Sequence, residues 1–137
     1  MCIRDSYNID RTRIFASGHS RGGAASIILA FEAPDLVAGF LSQSGFSAAN
    51  AYRARMVELS PARKITGVIV HGVADKDVTI SEGDGTAQAM RDSGHVEGDH
   101  FAYFRLEGVT HQWQTQLNGL AWNFLENRPL PLELAAP

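Results

Sequence analysis

Four short apolar runs divide the chain, and each is followed by a longer segment of helical character. The runs do not alternate apolar with polar positions, which is typical of strands that helices cover on both faces. Because β-branched side chains favour strands, the third run is the clearest of them. The predicted strands span residues 13–17, 36–41, 65–71 and 100–106.

The segments between these runs predict helices, so strand and helix alternate along the chain. This alternation is typical of an α/β fold in which right-handed crossovers connect parallel strands and place helices on both faces of the sheet. The predicted helices span residues 23–31, 48–59, 81–93 and 115–126. The first is apolar on nearly every side and is expected to be buried, and the last is expected to bury Leu117, Leu120, Ala121, Phe124 and Leu125 on one face.

The composition narrows the function classes. At 137 residues, with 45% hydrophobic and 20% charged residues, the chain is expected to form one globular domain. A net charge of −3 with dispersed Lys and Arg provides no basic surface for nucleic acid. No apolar stretch approaches the length of about 18 residues that a membrane span requires. Cys2 is the single cysteine, which excludes an intrachain disulfide and a cysteine-rich metal site.

The ends of the chain differ in character from its centre. Residues 1–6 have neither the basic nor the apolar region of a secretory signal, and they are interpreted as a leader of non-native appearance. A single domain is predicted over residues 7–130. Residues 131–137 are predicted to form a loose tail, and the cellular compartment is left open.

Polar residues that can carry chemistry follow each predicted strand. In open α/β sheets, ligands bind at the carboxyl ends of the strands, where these residues would gather. A serine, an aspartate and a histidine therefore fall on one edge of the predicted sheet, in that order along the chain. The segments concerned are residues 18–22, 42–45, 71–77 and 107–113.

The sequence Gly-His-Ser-Arg-Gly, residues 18–22, lies between a predicted strand and a predicted helix. This context indicates a nucleophile elbow, in which a strained turn exposes the hydroxyl of Ser20; a glycine-rich loop is the alternative. We expect glycine at positions 18 and 22 because a Cβ atom at either would collide with the neighbouring strand or helix. The backbone N–H of Arg21, at the start of the helix, could face a developing oxyanion.

Two aspartates follow the third predicted strand, and one of them could accept the Nδ1–H of a catalytic histidine. Asp75 is favoured because the turn after residues 71–72 has room to present its side chain. Asp77 is better described as a turn residue, although it remains the alternative acid.

Five histidines compete for the role of base. His111 is favoured because it lies in a loop between the last strand and the last helix, from which it could reach the serine. His19 adjoins the serine and is expected to point elsewhere, while His71 is expected to pack beneath the acid turn. His95 and His100 belong to a polar connector, which is expected to be solvated rather than to bind metal.

These motifs resemble the esterase branch of the α/β-hydrolase fold enzymes. The resemblance is carried by residues 8–14, by GHSRG at 18–22, by HGVADKDV at 71–78 and by GVTHQW at 108–113. The branch includes polyhydroxybutyrate depolymerase-like, feruloyl esterase-like and dienelactone hydrolase-like proteins. The resemblance extends from residue 7 to about residue 129 and covers only the C-terminal half of that fold.

The resemblance implies a serine esterase in which Ser20 is the nucleophile, Asp75 the acid and His111 the base. It implies no metal and no organic cofactor, and the substrate would be a small-molecule or polymeric ester. His19, Ser44 and Trp113 are candidate substrate-binding residues. For Trp113 and the turn over residues 42–46, core packing is an equal alternative.

Earlier strands of the family fold have no counterpart in this sequence. In that fold the second donor of the oxyanion hole comes from a loop after one of those strands. The strand before Ser20 would also have one unpaired edge, which invites association. We therefore expect a poorly active fragment that associates through this edge. A prolyl oligopeptidase-type serine peptidase and a non-catalytic, hydrolase-like binding module are the alternative functions.

Overall fold

The computed structural model describes residues 8–46, 49–59 and 63–134. Its strands are β1 (Phe15–His19), β2 (Gly39–Gln43), β3 (Thr66–Gly72) and β4 (Phe101–Leu106). They form one sheet in the order β1-β2-β3-β4, and every neighbouring pair is parallel. The predicted parallel α/β sheet is therefore confirmed. Residues 1–6, predicted as a leader, lie outside the described part of the chain, as does the end of the predicted tail.

The helices are α1 (Arg21–Glu32), α2 (Ala49–Leu59), α3 (Ile80–Asp92) and α4 (Asn118–Glu126). Short 3-10 turns at Arg11–Arg13 and Thr115–Leu117 precede β1 and α4. The first two strands begin and end later than predicted. They end later because their polar last residues remain in the hydrogen-bonded ladder, where His19 pairs with Gln43. As a result α1 begins two residues after the last residue of β1.

The sheet separates two apolar clusters. One packs beneath α1, α2 and α3 and contains Ile27, Phe31, Phe40, Met56, Met90 and Phe101. The other packs beneath α4 and contains Leu41, Val68, Val70, Ala121 and Leu125. Because both faces are covered, every residue of β2 and β3 is buried, which explains their non-alternating sequences.

Two predictions of burial are wrong in part. In α4, Ala121 and Leu125 are buried one turn apart, whereas Leu120 is about half exposed because its position is rotated away from the sheet. In α1, Ile28 and Leu29 are exposed, because this helix packs on β1 and β2 with one face only. The apolar character of α1 therefore exceeds what the described sheet buries.

β1 forms one of the two lateral edges of the sheet. Within the described residues it pairs with β2 and has no neighbour on its other side. An apolar groove of about 340 Å³ runs along it, lined by Phe15, Leu41, Trp113, Asn118, Trp122 and Leu125. None of the helices described here is long and apolar enough to cross a membrane.

Candidate active site

Ser20 occupies a strained turn between β1 and α1. Its φ of 55° and ψ of −117° lie in a region that residues other than glycine seldom adopt. The backbone is held from both sides: the N–H of Ser20 donates to the carbonyl of Gln43 at 2.9 Å, and its carbonyl accepts from Ala24 at 3.0 Å. The hydroxyl-bearing residue therefore lies at the apex of a sharp strand-to-helix turn.

The glycines around Ser20 have different roles. A Cβ at Gly18 would overlap the backbone of Gly22, as expected. The same expectation for Gly22 itself is wrong, because a Cβ there would meet no described atom within 4 Å. Gly23 is the tight position: its Cβ would lie 2.8 Å from Ser42 Oγ and 2.9 Å from Gly45 Cα. The start of α1 can approach the end of β2 only because these positions lack side chains.

The Asp75 carboxylate is buried, with 5% of the residue exposed, and it faces His111. Its Oδ2 lies 2.8 Å from His111 Nδ1, while its Oδ1 accepts from the backbone N–H groups of Asp77 at 3.0 Å and Val78 at 2.9 Å. Burial raises the pKa of Asp75, but the hydrogen bonds from His111, Val78, Asp77 and Ser44 outweigh it and leave the pKa below its ordinary value. Asp77 is exposed and contributes its backbone N–H to this site.

The turn that carries Asp75 and the loop that carries His111 are bound to each other. Val73 N–H donates to Leu106 O at 2.9 Å, and Ala74 N–H donates to Val109 O at 3.0 Å. A Cβ at Gly72 would overlap the carbonyl oxygen of Val109, so the two loops meet where glycine permits it. This close approach brings the carboxylate and the imidazole into contact.

Gln43 anchors the histidine loop from the other side, and sequence reasoning missed it. It is buried at the end of β2, where its Oε1 accepts from the N–H of Gln114 at 2.6 Å. Asn118 Oδ1 accepts from Trp113 Nε1 at 2.9 Å and lies 3.5 Å from Gln43 Nε2. The signal available in the sequence was the place of Gln43 in the polar segment, residues 42–45, that follows the second apolar run.

His19, which was expected to point elsewhere than towards the serine, packs beside His111. Its ring lies 4.6 Å from that of His111, centroid to centroid, because it shares a face of β1 with Phe15, the face that α4 covers. Burial lowers the pKa of His19, and the neighbouring His111 adds to this, whereas Asp75 opposes it. Its Nε2 is buried and has no hydrogen-bond partner among the described residues.

The remaining predicted site residues fall around this centre. Arg21 is the first residue of α1, so its backbone N–H lies at the helix N-terminus beside Ser20. Ser44 is buried with a φ of 46° and hydrogen-bonds to Asp75. Trp113 packs against the cluster beneath α4 and also lines the groove along β1. The substrate-binding roles of His19, Ser44 and Trp113 stay predictions.

The structure thus joins Asp75 to His111 and packs His111 against the residue that precedes Ser20. No hydrogen bond links Ser20 to His111 within the described part of the chain. In enzymes without substrate, such bonds are often long and tighten only in the complex. The part played by the Ser20 hydroxyl is therefore argued below as a proposal.

The connector that contains His95 and His100 is exposed at Gly94 and at residues 96–99, as predicted, but His95 itself is not solvated. His95 is buried, with 3% exposed, and its Nε2 accepts the backbone N–H of Ile65 at 2.9 Å. Its Nδ1 must then carry the hydrogen, and it lies 2.9 Å from Ser93 Oγ. His100 Nδ1 accepts the N–H of Val96 at 2.9 Å. The His95 ring therefore ties this connector to the backbone before β3, and the His100 ring holds the connector's own backbone.

Three side chains could in principle hold a metal ion. Asp75, Asp77 and His111 each offer one ligand atom, and these atoms lie within 4.8 Å of one another. The Asp75 oxygens, however, already accept two backbone N–H groups and face His111 Nδ1. The donor set is therefore arranged for hydrogen bonding, and the prediction of no metal stays a prediction.

Comparisons with known proteins place the chain among hydrolases. Residues 3–127 match the family model described as Phospholipase/Carboxylesterase. SOBER1 of Arabidopsis thaliana superposes with a TM-score of 0.73 at 16% identity, over 92% of this chain and 58% of that chain. Esterase PE8 gives 0.70 at 16% identity, over 92% and 55%. A thermostable esterase gives 0.71 at 22% identity, over 93% and 34%. The chain matches none of the curated protein sequences compared with it.

These similarities confirm the α/β-hydrolase fold. They also show how much of the length of such proteins the chain covers. The chain spans only 58% of the length of SOBER1 and 55% of that of PE8. At such low sequence identity the superpositions concern the fold alone.

Proposed function

Because the chain belongs to the phospholipase/carboxylesterase family, we propose that it hydrolyses carboxylic esters through an acyl-enzyme formed on Ser20. The observation that carries this proposal is the 2.8 Å contact between His111 Nδ1 and a buried Asp75 carboxylate. This pair lies at the carboxyl ends of the strands, as does the strained turn of Ser20. A buried acid that orients an imidazole beside an exposed hydroxyl is the arrangement that activates serine for acyl transfer.

The contact with Asp75 assigns the hydrogen of His111 to Nδ1, which leaves Nε2 to act as the base. His111 accepts the Ser20 proton as Oγ bonds to the ester carbonyl carbon, and the carbonyl oxygen becomes an oxyanion beside the Arg21 N–H. The carbon–oxygen bond to the alcohol then breaks, and His111 protonates the leaving alcohol. Water, deprotonated by His111, releases the acyl group and restores Ser20.

We further propose that a segment beyond this chain completes the site by pairing with the free edge of β1. The unpaired edge, the 340 Å³ apolar groove and the half-exposed ring of Trp122 all support it. In this fold a loop after an earlier strand supplies the second oxyanion donor. Loss of one such donor costs about 10²–10³ in rate, so the chain alone should be slow. Its free edge should also promote self-association.

The test is labelling with a fluorophosphonate probe, which reports an activated serine without need of a preferred ester. The wild-type chain should label, Ser20→Ala should not, and Ser17→Ala, which removes the hydroxyl of an exposed serine on β1, should label normally. Absent labelling, or labelling that survives Ser20→Ala, would overturn the catalytic proposal and favour a binding module. Hydrolysis of p-nitroanilides in preference to p-nitrophenyl esters would favour a peptidase of the prolyl oligopeptidase type.

A further inference from the structure

The mechanism above makes no use of His71, although it is a polar side chain in the centre of the protein. It lies near the end of β3, and only 1% of the residue is exposed. All the other residues of this strand are buried as well. An imidazole in such a place needs hydrogen-bond partners, since burial of an unpaired polar group is costly. Its partners belong to the turn that carries Asp75.

The contacts of His71 Nε2 define its protonation and its neighbours. Nε2 lies 2.8 Å from the carbonyl oxygen of Val78, which can only accept, so Nε2 carries the hydrogen. The same nitrogen lies 3.6 Å from Asp75 Oδ2, the oxygen that also faces His111. Val78 N–H in turn donates to Asp75 Oδ1 at 2.9 Å. His71, Val78 and Asp75 therefore form a closed group that holds the acid turn from beneath.

The other side of the ring is fixed by packing. His71 Nδ1 has no hydrogen-bond partner among the described residues. It lies against Gly83 of α3, where a Cβ would come within 2.7 Å of Nδ1. Glycine at this position lets the helix approach the ring closely, so the ring is held with Nε2 towards the acid turn.

We propose that His71 is a positioning residue for Asp75. By donating to Val78 it fixes the turn that presents the carboxylate, and its N–H dipole favours the ionised carboxylate that faces His111. The consequence for catalysis depends on the esterase function proposed above, whereas the positioning itself does not. His71 would act only through Asp75 and would not touch the substrate.

The test compares His71→Gln with His71→Asn. The glutamine amide can place an N–H where Nε2 stands, whereas the asparagine amide corresponds to Nδ1 and is too short to reach Val78. Both substitutions bury a neutral amide, so a merely structural role would affect them alike. The proton on His111 Nδ1, observed by NMR, should persist in His71→Gln and be lost or shifted in His71→Asn.

Ester hydrolysis provides the second readout. In His71→Asn we expect kcat to fall roughly 10–100-fold, by analogy with residues that orient metal-ligating side chains, with little change in KM. His71→Gln should retain most of the activity. If the two variants behave alike in both readouts, the positioning role is wrong.

A measurement on the unsubstituted chain keeps the test independent of variant folding. The ¹⁵N shifts of His71 should show hydrogen on Nε2 and none on Nδ1; the opposite tautomer would overturn the proposal. The two proposals can fail separately. If His71 shows this tautomer and His71→Asn loses the His111 proton, but the unsubstituted chain neither labels nor hydrolyses esters, the esterase function is refuted and the positioning role stands.

Discussion

Acidification should destabilise the protein through His95, a residue outside the candidate active site. Its Nε2 accepts the Ile65 N–H, so protonation of Nε2 must break this bond and place a charge in the core. Burial, helped by the charges of Lys64 and His100, lowers the pKa of His95 to about 4 against the opposing effect of a bond to the Met90 carbonyl. The folded protein therefore resists protonation that the unfolded chain accepts.

The sign and size of the effect follow from this difference. With a pKa of 6.5 for the unfolded chain and about 4 for the folded one, the stabilising effect of a neutral His95 is complete above pH 6.5. It declines as the pH falls towards 4, since the unfolded chain then binds the additional proton. At about 1.4 kcal/mol per pH unit, the loss in the free energy of unfolding reaches about 3 kcal/mol.

Urea denaturation of the wild type and of His95→Gln at several values between pH 7.5 and pH 4 tests this. The glutamine Oε1 can accept the Ile65 N–H but does not titrate, so His95→Gln should lose about 3 kcal/mol less than the wild type over this range. His100→Asn, which keeps an acceptor for the Val96 N–H, is the matched control and should retain most of the wild-type dependence. Identical pH dependence in wild type and His95→Gln would refute the reasoning.

Five further substitutions test the site and its scaffold. Asp75→Asn should lower kcat of ester hydrolysis by about 10⁴ because the imidazole loses its orienting acceptor, whereas Asp77→Asn should stay near wild type; equal effects would contradict the choice of acid. Gly23→Ala should lower the free energy of unfolding in urea by about 1–3 kcal/mol, because its Cβ meets the end of β2, whereas Gly22→Ala should raise it by about 0.5–1 kcal/mol as an unobstructed helix position. Gln43→Leu should lower the free energy of unfolding by about 1–3 kcal/mol, because the buried N–H of Gln114 then lacks an acceptor; an unchanged midpoint in thermal or urea unfolding would show that the loop is held otherwise.

The fold class could be predicted from the sequence because burial on both faces leaves a direct trace in it. Strands such as β3 are apolar without alternation, and the helices between them require parallel crossovers. That topology also gathers the ends of all strands at one edge, so a serine, an aspartate and a histidine could be assigned to one candidate site. Boundaries were less accurate, since His19 and Gln43 are polar and yet belong to strands.

The contacts of similar residues depend on tertiary structure. The sequence favoured Asp75 over Asp77 without showing its partners, and the folded turn directs the Asp75 carboxylate to His111 and leaves Asp77 exposed. The contact between His19 and His111 was not predicted, and it forms because the face of β1 on which His19 falls is covered by α4 and its loop.

The same holds for His95, which was expected in a solvated loop and is buried against the core. Local pattern determines which face of an element is buried. Which side chain meets which partner depends on the packing of segments far apart in sequence. The sheet and the strand ends that carry the candidate site could therefore be predicted from the sequence, whereas the contacts within the site could not.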